Sequence, residues 1–121
     1  ETLAGLVENY AMHAAAVDAA GHRPPMEVPV MSTLFVTRNA RETVALRERV
    51  HAEALRTGRL PAGARAEDWA LIGEAGCIRE QASVYRERLG VTHLIVTRLR
   101  IAGIARARLD EGVAAAREAL A

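Results

Sequence analysis

The chain has 121 residues, of which 50% are apolar, 3% aromatic and 26% charged, and its formal net charge is +1. This length allows one small domain or part of a larger one, with a core filled mainly by aliphatic side chains. The balanced charge excludes the strongly basic surface typical of nucleic-acid-binding proteins, and so few aromatic rings nearly exclude platforms on which bases stack.

The first two predicted elements are a helix and a strand. Apolar residues recur at helical spacing over residues 2–20 and stop at Gly21, just before two prolines, which predicts an amphipathic helix. Residues 28–36 are rich in β-branched side chains and apolar on both alternating faces. This pattern predicts a strand covered on both sides, as in a parallel sheet.

A second helix is predicted over residues 40–57, where apolar side chains share one face. Asn39 precedes this helix and Glu42 lies in its first turn, three residues later, which resembles a capping box. Residues 58–68 contain proline and glycine and are predicted to form a loop. The short apolar stretch that follows, residues 69–72, ends at Gly73.

The rest of the chain repeats the alternation of helix and strand. A third helix is predicted to end at Gly90, followed by a strand over residues 91–97 and a fourth helix whose apolar face runs from Leu109 to Leu120. Strands separated by helices cannot pair as hairpins. The order α-β-α-β-α-β-α therefore predicts an α/β fold with parallel strands and right-handed crossovers.

In such folds, chemistry is found in the loops beyond the carboxyl ends of the strands. The predicted loops are residues 37–39, 73–76 and 97–103. The second has two glycines at the start of a helix, where free backbone N–H groups and the helix dipole favour an anion. Glycine at this place is also common for backbone geometry alone, so a phosphate cradle and a structural turn are both open.

Two segments carry a resemblance to a known family. Trp69-Ala70-Leu71-Ile72-Gly73-Glu74-Ala75-Gly76, a helix, and then Tyr85-Arg86-Glu87-Arg88-Leu89-Gly90-Val91-Thr92-His93-Leu94-Ile95-Val96 resemble the C-terminal region of luciferase-like flavin-dependent monooxygenases. That family includes bacterial luciferase, alkanesulfonate monooxygenases and deazaflavin-dependent reductases. The resemblance implies that the chain is the C-terminal part of a (β/α)8 TIM barrel, with the catalytic residues upstream of Glu1.

The resemblance also implies a cofactor and its contacts. The cofactor is FMN, or alternatively a deazaflavin coenzyme, used with oxygen on a small organic substrate and reduced by a separate flavin reductase. Arg98 matches a family arginine near the substrate or the flavin phosphate, and Arg100 offers a second guanidinium. The implied cofactor-binding residues are Gly73, Glu74, Ala75, Gly76, Arg98 and Arg100.

The alternative is a non-catalytic, truncated α/β module that dimerises or regulates through its open sheet edges. Unpaired edges predict a homo-oligomer or strands supplied by another chain. The four histidines lack metal-ligand spacing, and His93, inside an apolar strand, is expected to be a buried core residue. A single cysteine, Cys77, and the lack of a long apolar run or signal peptide predict a cytoplasmic protein without a membrane span.

Overall fold

The computed structural model describes residues 1–58 and 60–121. It contains four α-helices, one short 3-10 helix and three strands. In chain order these are α1 (Leu3–Ala19), β1 (Pro29–Val36), α2 (Ala40–Thr57), the 3-10 helix (Ala66–Asp68), β2 (Ala70–Gly73), α3 (Ala75–Leu89), β3 (His93–Thr97) and α4 (Arg106–Leu120). The predicted element order is confirmed.

The ends of the helices follow from local chemistry. At the start of α2, the Glu42 N–H donates to Asn39 Oδ1 at 2.9 Å, which satisfies an amide that has no partner within the helix. The same helix ends at Gly58, whose φ of 65° lies in the left-handed region that favours glycine. These two signals account for the agreement between the predicted range, 40–57, and the observed one.

The three strands form one parallel sheet in the order β2-β1-β3. Residues of α2 pack on one face of the sheet, and residues of α3 and α4 pack on the other. The chain moves outward from β1 to β2 through α2, and returns across β1 to β3 through α3. The second crossover runs across the sheet in the opposite direction to the first, and its helix covers the opposite face. The two crossovers therefore have the same hand, as expected for parallel sheets.

This strand order differs from that of a barrel. In a (β/α)8 barrel, consecutive strands are neighbours and the helices form one outer ring. Here β1 lies between β2 and β3, and α2 and α3 cover opposite faces. The α/β class and the parallel strands are confirmed, and this chain alone forms an open, doubly wound sheet.

Two apolar clusters hold the layers together, one on each face. The larger one joins alternate residues of β1 to Leu71 of β2, to α3 and to α4, with α1 packed against it. The smaller one joins Phe35 and β2 to Leu46 and Val50 of α2, and to Leu99 in the loop after β3. Each alternating face of β1 thus enters a different cluster, which is why β1 reads as apolar on both faces.

The outer strands are staggered along β1. Strand β2 lies opposite residues 33–36 of β1, whereas β3 lies opposite residues 29–33. The prediction of a strand covered on both sides holds for Leu34–Val36 but is wrong for the first half of β1. There Met31 is 66% exposed, and its neighbour Ile95 on β3 is 47% exposed, because α2 lies over the β2 side of the sheet.

No helix within residues 1–58 and 60–121 combines the length and apolar character needed to cross a membrane.

A methyl group at Gly112 tests how closely α4 packs on β1. An added Cβ at this buried residue would lie 2.6 Å from Cε2 of Phe35, itself buried. We expect Gly112→Ala to lower the free energy of unfolding by about 1–2 kcal/mol, because overpacking outweighs the gain in helix propensity. Gly76→Ala is the matched control, since its Cβ would meet nothing within 4 Å. The free energies of unfolding of the two variants would be measured by urea denaturation. A value for Gly112→Ala that equals or exceeds that for Gly76→Ala would contradict this packing.

Candidate functional site

The carboxyl edge of the sheet receives three chain segments, as expected for a parallel sheet. The segment after β1 is residues 37–39, and the segment after β3 is residues 98–105. The turn after β2 is a single residue, Glu74, because Gly73 closes the strand while Ala75 and Gly76 already belong to the first turn of α3.

Gly73 has a packing role in this turn. Its carbonyl oxygen accepts a hydrogen bond from the Thr37 N–H at 2.9 Å, which extends the pairing of β1 with β2. A Cβ at this residue would lie 3.1 Å from Sγ and 3.2 Å from Cβ of Cys77. The lack of a side chain at Gly73 therefore lets α3 start close to the end of β2.

The start of α3 is open to an anion. Glu74 precedes the helix but its side chain makes no capping hydrogen bond. Among the described residues, the first-turn amides of Ala75, Gly76 and Cys77 have no acceptor, since the Ile78 N–H makes the first helical bond to Glu74. The space beside Gly76 is empty. The exposed Glu74 carboxylate weakens the attraction of these amides for an anion whenever it turns toward them.

The two arginines after β3 lie elsewhere. Arg98 is exposed and forms no ion pair with the described residues. The stagger of the strands and two strand spacings separate the Cα atoms of Gly73 and Thr97 by about 14 Å. The strand that leads into Arg98 thus ends two strands away from the turn after β2.

Arg100 borders a cleft on the α2 side of the sheet. Leu99 is buried in the smaller cluster and Ile101 packs against it, so the loop after β3 turns back over this face. The cleft has a volume of about 590 Å³ and is lined by Arg100 together with Met31, Thr33, Trp69 and Thr97. The Oγ1 atoms of Thr33 and Thr97 are 3.3 Å apart on its floor. Their proximity depends on the pairing of β1 with β3, which the local sequence does not specify.

Four charged side chains fill the middle of the carboxyl edge. Arg108 of α4 donates from Nε (3.0 Å) and NH2 (2.7 Å) to Oε1 of Glu42, and from NH2 (3.2 Å) to the carbonyl oxygen of Val36. Its guanidinium carbon lies 4.5 Å from the ring centroid of Phe35. Arg38 forms a bidentate pair with Glu111. These charges balance, so the centre of this edge attracts neither anions nor cations strongly.

The exposed ion pair between Arg38 and Glu111 changes the pKa of the Glu111 carboxyl group. The hydrogen bond from Arg38, and then its charge, hold the pKa of Glu111 below its ordinary value. The contribution of this pair to stability is therefore present at neutral pH and is lost as the pH falls through the lowered pKa. The pair is exposed to solvent, so the contribution is small.

Other polar groups that could take part in chemistry belong to His51, Trp69, Gln81 and His93. His93 was expected to be a core residue, but it is exposed, and its Nδ1 lies 2.9 Å from Oγ1 of Thr92. The buried atoms His51 Nδ1, Trp69 Nε1 and Gln81 Oε1 have no hydrogen-bond partner within residues 1–58 and 60–121. In the same residues, no three histidine, cysteine, aspartate or glutamate side chains are grouped to hold a metal ion.

No protein-family model, curated protein or solved structure matches this chain.

Removing Arg108 tests whether the network is part of the fold. Its side chain is 15% exposed and joins α4 to Glu42, to the end of β1 and to Phe35. We expect Arg108→Ala to lower the free energy of unfolding by about 2 kcal/mol, since it leaves the half-buried Glu42 carboxylate without its ion-pair partner and with only the Arg38 N–H bound to it. Arg106 pairs with Asp110, but its side chain is 89% exposed. We expect Arg106→Ala to lower the free energy of unfolding by less than about 0.5 kcal/mol. Equal losses in urea denaturation would contradict a structural role for Arg108.

Proposed function

We propose that this chain is the C-terminal part of a luciferase-like, flavin-dependent oxidoreductase that acts on a small organic substrate. The observation that carries the proposal is that both resembling segments fall on one continuous β-α-β unit. Trp69–Gly76 covers β2 and the start of α3, and Tyr85–Val96 covers the end of α3 and most of β3. The family's motifs have the same order of strand, turn, helix and strand.

The start of α3 is the place for the cofactor phosphate. The amides of Ala75, Gly76 and Cys77 lack acceptors among the described residues, and the space beside Gly76 is open. A helix start of this kind binds phosphate through its N–H groups and its dipole. FMN fits this site, and a deazaflavin coenzyme, which also carries phosphate, is the alternative. The bound flavin supplies the redox chemistry with oxygen.

Arg98 is the proposed second anion contact. Its guanidinium is exposed and has no ion-pair partner among the described residues. Arg98 follows β3, which β1 separates from β2, so we propose that it contacts the substrate or a part of the cofactor other than the phosphate. Arg100 would contact an anionic group of a ligand bound in the cleft that it lines.

Membership of a barrel carries a structural requirement. A barrel needs β2 between β1 and β3, whereas this chain places β1 in the middle. The strands would therefore have to exchange neighbours when the other strands of the barrel are present. A reducing, cytoplasmic location and a partner flavin reductase belong to the same proposal.

A non-catalytic module is the second candidate function. Two observations favour it: paired charges occupy the centre of the carboxyl edge, and the outer edge of β3 is uncovered. In this case the chain would associate with or regulate a partner through its open sheet edges.

Flavin binding by two variants of one residue tests the proposed phosphate site. Gly76→Asp places a carboxylate in the first turn of α3, where it favours the helix but repels phosphate. Gly76→Ala is the matched control without charge. We expect Gly76→Asp to raise the FMN Kd at least about tenfold and to leave the Kd for riboflavin, which has no phosphate, unchanged. Flavin fluorescence would be measured on the full encoded protein and on the 121-residue chain.

Two outcomes would contradict the proposal. The first is that the full encoded protein binds neither FMN nor a deazaflavin coenzyme. The second is that Gly76→Asp and Gly76→Ala bind FMN equally well, in which case the start of α3 does not hold the phosphate.

A further inference from the structure

The two outer strands of the sheet differ in how their free edges are protected. In a strand, the N–H and C=O of one residue point to the same side, and successive residues alternate. The Thr37 N–H donates to Gly73, so Gly73 and Leu71 direct their peptide groups at β1. Ala70 and Ile72 therefore direct theirs outward, away from the sheet.

Arginine blocks the outer edge of β2. Arg47 of α2 donates from Nε (3.0 Å) and NH2 (2.7 Å) to the carbonyl oxygen of Ile72. Its NH1 also lies 3.6 Å from Oε1 of Glu67, which holds the guanidinium in place. Two hydrogen bonds to one of the two outward-facing carbonyls of a four-residue strand prevent another strand from pairing there.

The outer edge of β3 has no such protection. Of two residues opposite each other in a parallel pair, only one points its peptide groups at the other strand. Thr37 directs its N–H at β2, so Val36 and Val30 direct their peptide groups at β3, and Leu94, opposite Val30, faces outward together with Val96. No side chain of the described residues hydrogen-bonds to the peptide groups of Leu94 or Val96. This edge is rich in β-branched residues and contains neither proline nor lysine.

The face beside this edge is also uncovered. Ile95 is 47% exposed, and Met31 on the neighbouring strand is 66% exposed. Parallel sheets are ordinarily covered on both faces. A strand added next to β3 would bury part of Ile95 as well as satisfy the peptide groups of Leu94 and Val96.

We propose that the outer edge of β3 pairs with β3 of a second copy of this chain. The strands are antiparallel, and the two-fold axis passes beside Ile95. In this register Leu94 forms the hydrogen-bonded pair with the partner's Val96, and Ile95 lies opposite the partner's Ile95 at the closer, non-hydrogen-bonded distance. The result is a six-stranded sheet whose outermost strands are the two β2 strands that Arg47 blocks.

Charge complementarity favours a second copy in this register. The two-fold axis places Arg98 opposite the partner's Thr92. Thr92 is bound to Val28 by two hydrogen bonds, of 2.8 and 3.0 Å, and Glu27 precedes Val28. Neither Arg98 nor Glu27 has an ion-pair partner among the described residues. The symmetric pair therefore brings an unpaired arginine near an unpaired glutamate at each end.

This inference develops the second candidate function and does not depend on flavin. The association is measured by sedimentation equilibrium of the 121-residue chain without flavin, so its failure leaves the phosphate test unaffected. We expect a concentration-dependent dimer. Ile95→Glu places like charges opposite each other and should give a monomer, whereas Met31→Glu, on the same face but away from the edge, should still dimerise.

Cysteine crosslinking tests the register. In a Cys77→Ser background, Ile95→Cys places the two thiols on opposite residues of a non-hydrogen-bonded pair, within the Cα separation of a disulfide. His93→Cys lies opposite the partner's Thr97, so its two copies are too far apart to bond. We expect a disulfide-linked dimer on oxidation for Ile95→Cys only. A chain that stays monomeric at all concentrations, or equal crosslinking of the two variants, would overturn the proposal.

Discussion

The parallel pairing of β1 with both of its neighbours positions the helices and the loops at the carboxyl edge of the sheet. Strand β1 contributes its carboxyl half to β2 and its amino half to β3, so neither outer strand covers it completely. This stagger leaves room for α4 to pack beside the end of β1, where Gly112 lies against Phe35 and Arg108 binds the Val36 carbonyl. The face around Met31 and Ile95 is exposed because α2 lies over the β2 side of the sheet.

Arginine has two different structural roles in this chain, which contains no lysine. Arg108 joins a helix to a strand end and lies over an aromatic ring, and Arg47 makes a bidentate contact with an edge carbonyl. A planar guanidinium with several donors suits both tasks better than an ammonium group. Arg98 has no ion-pair partner in the described part of the chain, which is why both functional proposals assign it a contact outside this chain. An anion of a bound ligand and a carboxylate of a second copy are the two kinds of partner.

Much of the secondary structure could be predicted from the sequence, because its signals are local. Apolar periodicity together with Asn39, Glu42 and Gly58 fixed the limits of α2, and Gly90 marked the end of α3. The strand order and stagger depend on contacts between distant residues and have no local signal. Arg108 and Glu42 are 66 residues apart, so their pairing could not be predicted either. For the candidate site, the turn after β2 lies within the predicted loop, residues 73–76, but it is shorter, because Gly73 belongs to the strand and Ala75 and Gly76 to the helix. The separation of Arg98 from that turn, and the exposure of His93, required knowledge of which strands are neighbours.

Cross-strand nuclear Overhauser effects would test whether β1 lies between β2 and β3 in this chain. With the 121-residue chain labelled with ¹⁵N and ¹³C, backbone contacts are expected between Leu34 and Leu71, and between Met31 and Ile95, which are opposite each other in the sheet. Backbone contacts between β2 and β3 are not expected, because β1 separates them by two strand spacings of about 4.8 Å each. Direct contacts between β2 and β3, as in the consecutive order of a barrel, would contradict this account.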